Sequence, residues 1–452
     1  MRHDSVSWTI LGLFRRLQRQ AVCHHCVTNP HLTIQYMPTA SEQARPIIIV
    51  TGANNGVGFG ICRRLLYGFA QTSPDDALPA FPHSGVDEQG IEYPCAGLTL
   101  IMACRSRQRA EAARTQLLEL FESDVARLRG ATGAPDRVAA FRANLVVVIH
   151  TLDLASVQST LAFANEVART YPYVSHLVCN AGVAPFLNIS WSLLLRQVWK
   201  NILELDLLDL VTNPSYNVQH TALMSDDGLG WAWQCNVFGH YILCRELEAK
   251  LAASPIGPGR VVWMSSHAAH ADAYDPDDWQ LVDSSRPYEG TKFQMDLIRA
   301  ELSRRAGPSS PIRHFTVHPG VVASSIDAAL VGHFMSQIKV VVFYLARWFG
   351  SSHHNVSPWN GSVAAVHVCL APLAFIPIFL SAAGTPATQR TGQNDDLLPL
   401  RLHSVTNRRG RNAVALAPFY AWPRHEKEAS RLVDRCERLY QSFVTAGGKI
   451  QE

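Results

Sequence analysis

Residues 47–58, with the sequence IIIVTGANNGVG, carry the clearest structural signal in this chain of 452 residues. A short β-branched run ends in a turn with three glycines, and residues with helical spacing follow the turn. Glycines there let the backbone N–H groups at a helix N-terminus approach a phosphate closely. The segment therefore predicts a strand, a phosphate-binding turn and a helix. The predicted contacts with a dinucleotide are Gly52, Asn54, Asn55, Gly56, Val57 and Gly58.

Strands and helices continue to alternate after this turn, which predicts a parallel sheet with crossover helices. Apolar runs predict further strands at residues 98–104, 145–152, 174–179, 260–265 and 313–317. Helical spacing is found at residues 56–69, 108–129, 157–171, 231–251 and 288–305. We expect an α/β protein with a Rossmann-type, doubly wound parallel sheet. A single elaborated domain is expected because the pattern contains no internal repeat or long linker.

The alternation divides the chain into three regions. Residues 1–45 form an N-terminal extension that is predicted to be disordered or a targeting segment, and a translation start at Met37 is an alternative hypothesis. Residues 46–330 form the nucleotide-binding core, with insertions at 71–96 and 185–228. Residues 331–452 are expected to contain a substrate lid, an apolar segment and a closing helix.

The composition limits the classes of partner. Lys and Arg number 40 against 37 Asp and Glu, a net charge of +3, so we expect no nucleic-acid partner. Charged residues make up only 17% of the chain, below the usual quarter or so, which favours peripheral contact with a membrane. The apolar segments at 191–211, 338–349 and 363–383 are expected to face lipid, with core packing as the alternative. Pro372 and Pro377 favour a helix–turn element that caps the sheet at 363–383 over a membrane span.

Cysteine usage argues against an extracellular disulfide scaffold. Ten cysteines in 452 residues are few, and several of them lie in apolar runs. We expect buried thiols in a reducing compartment. The sequence Cys23-His24-His25-Cys26 has the residue types of a metal site but no second pair at a usable spacing, so no metal is predicted.

The ends of the next three predicted strands supply further cofactor contacts. Arg105 follows the strand at 98–104, where a carboxylate would accept hydrogen bonds from a ribose 2′-hydroxyl. An arginine there pairs instead with a 2′-phosphate, which predicts NADP(H); a solvated loop arginine is the alternative. The other predicted contacts are Asp153 and Leu154 beside the adenine, and the turn Asn180, Ala181 and Gly182.

Tyr288 and Lys292 are four residues apart in a predicted helix and therefore lie on one face. A tyrosine hydroxyl ordinarily titrates at about 10, and a neighbouring ammonium favours its phenolate form. Tyr288 can then pass a proton to a ketone oxygen as hydride reaches the carbon. Ser266 is expected to bind the same oxygen, with Ser265 as the alternative. Asn236 is expected to hold a water molecule and the Lys292 ammonium.

Together these motifs resemble the short-chain dehydrogenase/reductase family over residues 46–325. The glycine turn, the Asn180–Gly182 turn and the tetrad of Asn236, Ser266, Tyr288 and Lys292 follow the family's order. The gap between the serine and the tyrosine is longer than in the simplest members, which widens the substrate side. Within the family, the chain is similar to the fungal 3-keto-steroid reductases of ergosterol synthesis at residues 233–247, 275–281, 288–298, 314–326 and 425–440.

This resemblance implies NADPH-dependent reduction of a 4-methyl sterol 3-ketone to the 3β-alcohol during C-4 demethylation. It also implies a location on the cytosolic face of the endoplasmic reticulum membrane or on lipid droplets, alongside other sterol-synthesis enzymes. The turn after His318 is expected to meet the nicotinamide, with a simple strand terminator as the alternative, and residues 324–349 are expected to form the lid. Tyr288, Lys292, Pro319, Gly320 and Val321 complete the expected cofactor contacts.

Three other functions are consistent with the same motifs. Two are enzymatic: reduction of retinal or small carbonyls, and reduction of 17-ketosteroids, which the related animal enzyme also performs. The third is a non-catalytic scaffold within a complex of sterol enzymes. The presence of both Tyr288 and Lys292 argues against the scaffold, because degenerate members usually lose this pair.

Overall fold

The computed structural model describes residues 45–80, 97–132, 135–203, 216–323, 333–380, 386–387 and 397–449. The N-terminal extension before residue 45, including the motif at residues 23–26, lies outside these ranges, as do parts of both insertions and of the expected lid. All described residues belong to one unit, Thr39–His83 with Asp87–Glu452.

The apolar runs form strands within one or two residues of their predicted positions. Numbered in chain order, the described strands are β1 (Ile47–Thr51), β2 (Leu98–Cys104), β3 (Leu145–Thr151), β4 (His176–Cys179), β5 (Phe186–Ile189), β6 (Asn217–Gln219), β7 (Gly259–Met264), β8 (Ile312–His318), β9 (Val321–Val322), β10 (His354–Val356), β11 (Phe379–Leu380), β12 (Pro386–Ala387), β13 (Leu398–Thr406) and β14 (Asn412–Pro418).

Helices connect the strands of the core, as the crossover pattern predicts. The described helices are α1 (Gly56–Phe69), α2 (Arg107–Thr132), α3 (Pro135–Ala143), α4 (Val157–Thr170), α5 (Trp191–Leu203), α6 (Trp231–Trp233), α7 (Gly239–Glu246), α8 (Glu248–Ala252), α9 (Pro287–Ala306), α10 (His333–Trp348), α11 (Pro358–Gly361), α12 (Val363–Leu370) and α13 (Trp422–Lys449). A π-helical turn, Gln234–Phe238, separates α6 from α7.

The parallel strands lie in the order β3-β2-β1-β4-β7-β8-β13. Strand β14 pairs antiparallel with β13, and β11 and β12 extend the same edge by antiparallel pairing. The strand order reverses between β1 and β4, and ligands of doubly wound sheets bind at the carboxyl ends of the strands flanking such a reversal. The Rossmann-type sheet predicted from the sequence is confirmed.

Strands β1, β2 and β4 are buried along their whole length, as expected for parallel strands covered by helices on both faces. Helices α4, α7, α9 and α13 share one hydrophobic core with the sheet. Helix α1 packs against α2, α11 and α12. This packing leaves the carboxyl ends of the strands as the place for a ligand site.

The apolar segment at residues 363–383 corrects one expectation. Every residue of α12 is buried, and the helix packs against α1, β13 and β14. The helix–turn element expected there is therefore confirmed, whereas the expectation that this segment faces lipid is wrong. Among the described helices, none is both long and apolar enough to cross a bilayer.

The other two apolar segments keep large side chains at the surface. In α5, Trp191, Leu195, Trp199 and Leu203 are exposed, and they recur every four residues along one stripe. In α10, Val341, Tyr344, Leu345 and Trp348 are exposed at the spacing of one helix face. Core packing is therefore the wrong interpretation for these eight side chains.

Candidate active site

The turn after β1 has the backbone that its glycines require. Gly52 and Gly56 have φ angles of 65° and 53°, in the left-handed region that favours glycine. A Cβ atom at Gly58 would lie 2.3 Å from the Gly52 carbonyl oxygen and 2.4 Å from Asn180 Nδ2, so no larger residue fits without a shift. Asn55 caps α1 by accepting a hydrogen bond from Gly56 N at 2.6 Å. The N-terminus of α1 is thus held close to the ends of β1 and β4.

Thr51, the last residue of β1, joins this turn to the one after β4. Its Oγ1 accepts hydrogen bonds from the backbone N–H groups of Asn180 and Ala181, both at 2.9 Å. The Asn180 side chain in turn donates to the Thr51 carbonyl oxygen at 2.8 Å. The predicted contacts at 180–182 therefore lie beside the glycine turn, at the reversal of strand order.

Arg105 and Asp153 follow β2 and β3, on the other side of β1 from β4. Arg105 is exposed, and within the described ranges its guanidinium forms neither a hydrogen bond nor an ion pair. Asp153 Oδ1 accepts a hydrogen bond from Ala155 N at 3.0 Å. Burial raises the pKa of Cys235 to about 12, Asp153 adds to this and Arg105 opposes it. Both charges therefore lie close enough to Cys235 to act on it, and Leu154 is buried.

The turn after β8 is fixed by a segment that the sequence patterns did not single out. Gly320 has a φ angle of 70°, and Val321 N donates to the His353 carbonyl oxygen at 2.8 Å. Asn355 Nδ2 donates to the Pro319 carbonyl oxygen at 2.6 Å. Strand β10 therefore holds the residues that were expected to meet the nicotinamide.

The first turns of α9 place Tyr288 and Lys292 together. The Lys292 Nζ atom lies 5.8 Å from the centre of the Tyr288 ring and donates a hydrogen bond to the Met264 carbonyl oxygen at 2.7 Å. Lys292 is 4% exposed, and burial lowers its pKa to about 8. Tyr288 is half-buried, with its ring centre 6.1 Å from that of Phe186. The ammonium is thus desolvated beside a tyrosine that solvent still reaches.

Asn236 lies in the π-helical turn, a rare geometry that is frequent at functional sites. Its Oδ1 accepts from Val183 N at 2.7 Å, and its Nδ2 donates to Val183 O at 2.9 Å and to Thr291 Oγ1 at 3.0 Å. A Cβ atom at Gly182 would lie 3.4 Å from Asn236 Oδ1 and 3.6 Å from Lys292 Nζ. Asn236 thus holds the 182–183 backbone against helix α9, and it forms no direct hydrogen bond with Lys292 in the described structure.

The two adjacent serines have different environments. Ser265 is buried, and its Oγ donates a hydrogen bond to the Lys292 carbonyl oxygen at 3.2 Å. Burial raises the pKa of Asp296, and Ser265 offsets part of this rise. Ser266 is half-buried, and its Oγ accepts from Ala268 N at 3.2 Å. The hydroxyl proton of Ser266 remains available to a ligand, so the geometry favours Ser266 for the catalytic role.

His240 is a site residue that the sequence reasoning missed. Its Nε2 lies 3.0 Å from Thr51 Oγ1, and its Nδ1 lies 2.9 Å from the Asn236 carbonyl oxygen. Burial lowers its pKa to about 4, so the ring is neutral at neutral pH. The spacing of four residues from Asn236 in one helix was the signal that could have found it.

Described residues of the insertion at 185–228 lie beside Tyr288. Strands β5 and β6 pair as an antiparallel hairpin. Gln219 in β6 accepts from Tyr288 N at 3.0 Å and donates to Glu289 at 2.6 Å. The hairpin therefore ties the insertion to the first turn of α9, with the Phe186 ring against the tyrosine.

The structure thus forms two groups from the expected residues. Asn236, Gly182, Tyr288 and Lys292 lie together near the ends of β4 and β7, with the two serines after β7. The glycine turn, in which Asn54 and Val57 are half-buried, leads towards Arg105 and Asp153 at the ends of β2 and β3. An elongated ligand along the carboxyl edge of the sheet would touch both groups, which is the arrangement a dinucleotide and a second substrate require.

Comparison with known proteins finds relatives that are named 3-keto-steroid reductases. The chain is 28% identical to a 3-keto-steroid reductase of Schizosaccharomyces pombe, over 72% of this chain and 82% of the relative. It is 28% identical to the 3-keto-steroid reductase of Kluyveromyces lactis, over 71% and 80% of the two chains. It is 26% identical to a rat protein named 3-keto-steroid reductase/17-beta-hydroxysteroid dehydrogenase 7, over 71% and 80%. The resemblance that the sequence motifs indicate is confirmed.

Protein-family models and solved structures give the two remaining comparisons. No protein-family model matches the chain. Among solved structures, the RhlG/NADP active-site complex of Pseudomonas aeruginosa matches with a TM-score of 0.43 and 15% identity, over 78% of this chain and 96% of that one.

Proposed function

We propose that the chain is an NADP(H)-dependent oxidoreductase that reduces the 3-ketone of a 4-methyl sterol to the 3β-alcohol, in C-4 demethylation. The observation that carries the proposal is the half-buried Tyr288 with the desolvated Lys292 ammonium 5.8 Å from its ring, next to Gly182 at the reversal of strand order. The names of the fungal relatives support the sterol ketone as the substrate class.

The residues at the carboxyl edge of the sheet fit NADP(H). A Cβ atom at Gly58 would fill the space where the backbone of the glycine turn meets Asn180, so the turn is built for close approach. The N-terminus of α1 supplies backbone N–H groups to the pyrophosphate. Arg105, exposed and without an ion pair in the described ranges, would hold the 2′-phosphate.

When it is bound, NADPH supplies the hydride that reduces the ketone carbon. Tyr288 donates its hydroxyl proton to the ketone oxygen, which becomes the alcohol oxygen. The Ser266 hydroxyl donates a hydrogen bond to the same oxygen and stabilises its developing negative charge. The buried Lys292 ammonium stabilises the phenolate that remains on Tyr288, because opposite charges attract strongly where water is excluded.

An apolar substrate matches the described residues of the 185–228 insertion that lie on either side of its gap. Phe186 lies against the Tyr288 ring, and Leu187, Leu223 and Met224 are large apolar side chains exposed in the same insertion. A sterol needs a largely apolar site with few polar anchors. Within the expected lid at residues 324–349, we propose that helix α10 covers this substrate.

The exposed stripes of α5 and α10 support a location at a lipid surface. Trp199 and Trp348 are each 66% exposed in the structure, and aromatic side chains of this kind are stable at the boundary between lipid and water. Arg196, Lys200, Lys339 and Arg347 lie in the same helices and would attract anionic lipid. We place the protein as a peripheral protein on the cytosolic face of the endoplasmic reticulum or on lipid droplets, beside other sterol-synthesis enzymes.

The test is NADPH oxidation by the full-length protein with a 4-methyl sterol 3-ketone, a 17-ketosteroid, retinal and a small ketone. The sterol ketone is expected to give the highest kcat/KM, and equal activity with all four would contradict the sterol assignment. Tyr288→Phe is expected to abolish turnover while NADPH still binds. Tyr274→Phe, at a partly buried tyrosine in the loop before α9, is the matched control and should retain activity.

A 17-ketosteroid is the second candidate substrate, because the rat relative carries both activities in its name. A higher kcat/KM with the 17-ketosteroid than with the sterol ketone would select it.

A further inference from the structure

Three histidines from distant parts of the chain meet beside the site. His267 follows Ser266 after β7, His318 ends β8, and His403 lies in β13. One ring nitrogen from each histidine can be chosen so that the three nitrogens lie within 4.8 Å of one another. The His318 and His403 rings are stacked with centres 4.3 Å apart, and the His267 ring centre lies 5.0 Å from that of His403. The proposed reduction uses none of the three.

These imidazoles leave buried nitrogens without partners. Among the described residues, His267 Nε2, His403 Nε2 and both ring nitrogens of His318 have no hydrogen-bond partner. His318 is 1% exposed and His403 is 6% exposed. Buried polar atoms are nearly always hydrogen-bonded, so several orphaned nitrogens at one point indicate a missing ligand.

The chemistry of the donor set points to a cation that binds neutral imidazole. An ordinary imidazole titrates at about 6.5 and is therefore mostly neutral at neutral pH. The rings therefore present lone pairs at neutral pH, the form that binds transition metals. Three imidazoles suit zinc, copper or nickel, whereas calcium and magnesium prefer oxygen ligands.

We propose that His267, His318 and His403 form a binding site for a divalent transition-metal ion of the zinc type. Zn–N bonds of about 2.0–2.1 Å place tetrahedral ligand nitrogens roughly 3.3 Å apart, so binding requires the stacked His318 and His403 rings to turn until one nitrogen of each points to the ion. The fourth position is open to water or to His353, whose ring centre lies 4.4 Å from that of His267 and whose Nδ1 is also unpartnered.

A carboxylate lies where an outer ligand of such a site is needed. Asp296 Oδ1 is unpartnered and lies 3.8 Å from His318 Nε2. When His318 binds the metal through Nδ1, its Nε2–H faces this oxygen, an arrangement common around zinc. The positive charge of Arg401 repels a cation at this site, and its Nη1 donates a hydrogen bond to Asp296 Oδ2 at 3.2 Å. The metal would link the loop after β7, the end of β8 and β13, independently of the substrate that the enzyme reduces.

The experiment measures zinc binding to the full-length protein after treatment with a chelator. Because Cys23 and Cys26 offer a separate set of ligands, the protein carries Cys23→Ser and Cys26→Ser, and the variants are made in that background. We expect one Zn²⁺ per chain by equilibrium dialysis, a higher Tm with Zn²⁺, and the visible absorption of tetrahedral cobalt with Co²⁺. Failure to bind either ion would overturn the proposal.

Two variants and one control assign the site. His403→Gln keeps a polar side chain of similar size and is expected to weaken Zn²⁺ binding by more than ~100-fold, since loss of an outer partner alone costs about 10–100-fold. Asp296→Asn is expected to fall in that smaller range. His220→Ala removes an exposed histidine and should change neither stoichiometry nor Kd. Unchanged zinc affinity in His403→Gln, with NADPH binding retained as the sign of a folded protein, would exclude this site.

Discussion

His240 connects Thr51, at the start of the glycine turn, to the π-helical turn that carries Asn236. The His240 Nε2 and Thr51 Oγ1 atoms are 3.0 Å apart, and the Nδ1–H of the same ring donates to the Asn236 carbonyl oxygen at 2.9 Å. Thr51 Oγ1 also accepts the N–H groups of Asn180 and Ala181, so one neutral imidazole holds the end of β1 against the π-helical turn.

His240→Leu is therefore expected to act on cofactor binding and on stability. It removes the imidazole donor from the Asn236 carbonyl oxygen, which costs roughly 1–3 kcal/mol, whereas the Thr51 hydroxyl keeps the Val178 carbonyl oxygen at 3.2 Å. The change also removes a contact that holds Thr51 and, with it, the turn that carries Asn180. We expect a lower free energy of unfolding in urea and a higher KM for NADPH, with a smaller change in kcat. His240→Gln should restore part of both. A His240→Leu protein with the wild-type KM and stability would show that this contact has no positioning role.

The sequence predicted the framework of the fold because its signals are local. The β-branched run before Gly52, the alternation that follows it and the spacing of Tyr288 and Lys292 each depend on a few neighbouring residues. The strand ends are recovered to within one or two residues. Helix α2 ends three residues beyond its predicted end, and the helix predicted at 231–251 is divided into α6, the π-helical turn, α7 and α8. The contacts that give the site its electrostatics are long-range, and local patterns carry no information about them.

The sequence patterns did not predict strand β13, and the residues of this strand show why. Its sequence LPLRLHSVT places Arg401 and His403 among the apolar residues of a strand that lies parallel to β8. Arg401 is accommodated there because Asp296 of α9 pairs with it at 3.2 Å, across more than 100 residues of sequence. A similar limit applies to α5, whose periodicity predicts an apolar stripe but not whether the stripe faces the core or the surface.

Arg105→Ser is predicted to reduce the preference for NADPH over NADH. Loss of a charge-assisted contact with the 2′-phosphate costs about 1.5–3 kcal/mol, which corresponds to a fall of roughly 10–100-fold in the ratio of kcat/KM for the two cofactors. Arg107→Ser is the matched control, because Arg107 is exposed and pairs with Glu111 at 2.9 Å. An unchanged ratio in Arg105→Ser, or an equal fall in the control, would remove Arg105 from the cofactor site.

Ser265→Ala and Ser266→Ala are predicted to have separate effects. Removal of a donor to the developing oxyanion lowers kcat by about 10²–10³-fold, and we expect this for Ser266→Ala with little loss of stability. Ser265 is buried and bound to the Lys292 carbonyl oxygen, so Ser265→Ala should lower the free energy of unfolding by about 1 kcal/mol, with a smaller effect on kcat. Steady-state kinetics and urea unfolding on both variants decide the assignment, and the reverse pattern would assign the catalytic role to Ser265.

Lys292 is predicted to make stability depend on pH in the alkaline range. Its pKa falls from 10.5 to about 8 on burial, so between those values the unfolded chain binds more protons than the folded one, and stability rises with pH. Below pH 8 the buried charge costs up to roughly 3 kcal/mol. Lys292→Met should therefore be more stable than the wild type at pH 7, by an amount that shrinks towards pH 10. A difference that stays constant between pH 7 and pH 10 would contradict a lowered pKa, and measuring the difference cancels the titration of the cysteines and tyrosines.

Trp199→Glu and Trp348→Glu are predicted to weaken attachment to lipid. Both tryptophans are 66% exposed within the apolar stripes of α5 and α10, and transfer of a large apolar side chain from water into lipid is worth about 1.5–3 kcal/mol. Each change should reduce the partition coefficient by roughly tenfold or more in flotation with vesicles of phosphatidylcholine, phosphatidylserine and sterol, and the double variant should lose most binding. Leu118→Glu adds the same charge at an exposed leucine of α2 and should leave partitioning unchanged. Equal binding by the wild type and all four variants would place the lipid contact elsewhere in the chain. Loss of binding only in the tryptophan variants would identify α5 and α10 as the surface that meets the membrane.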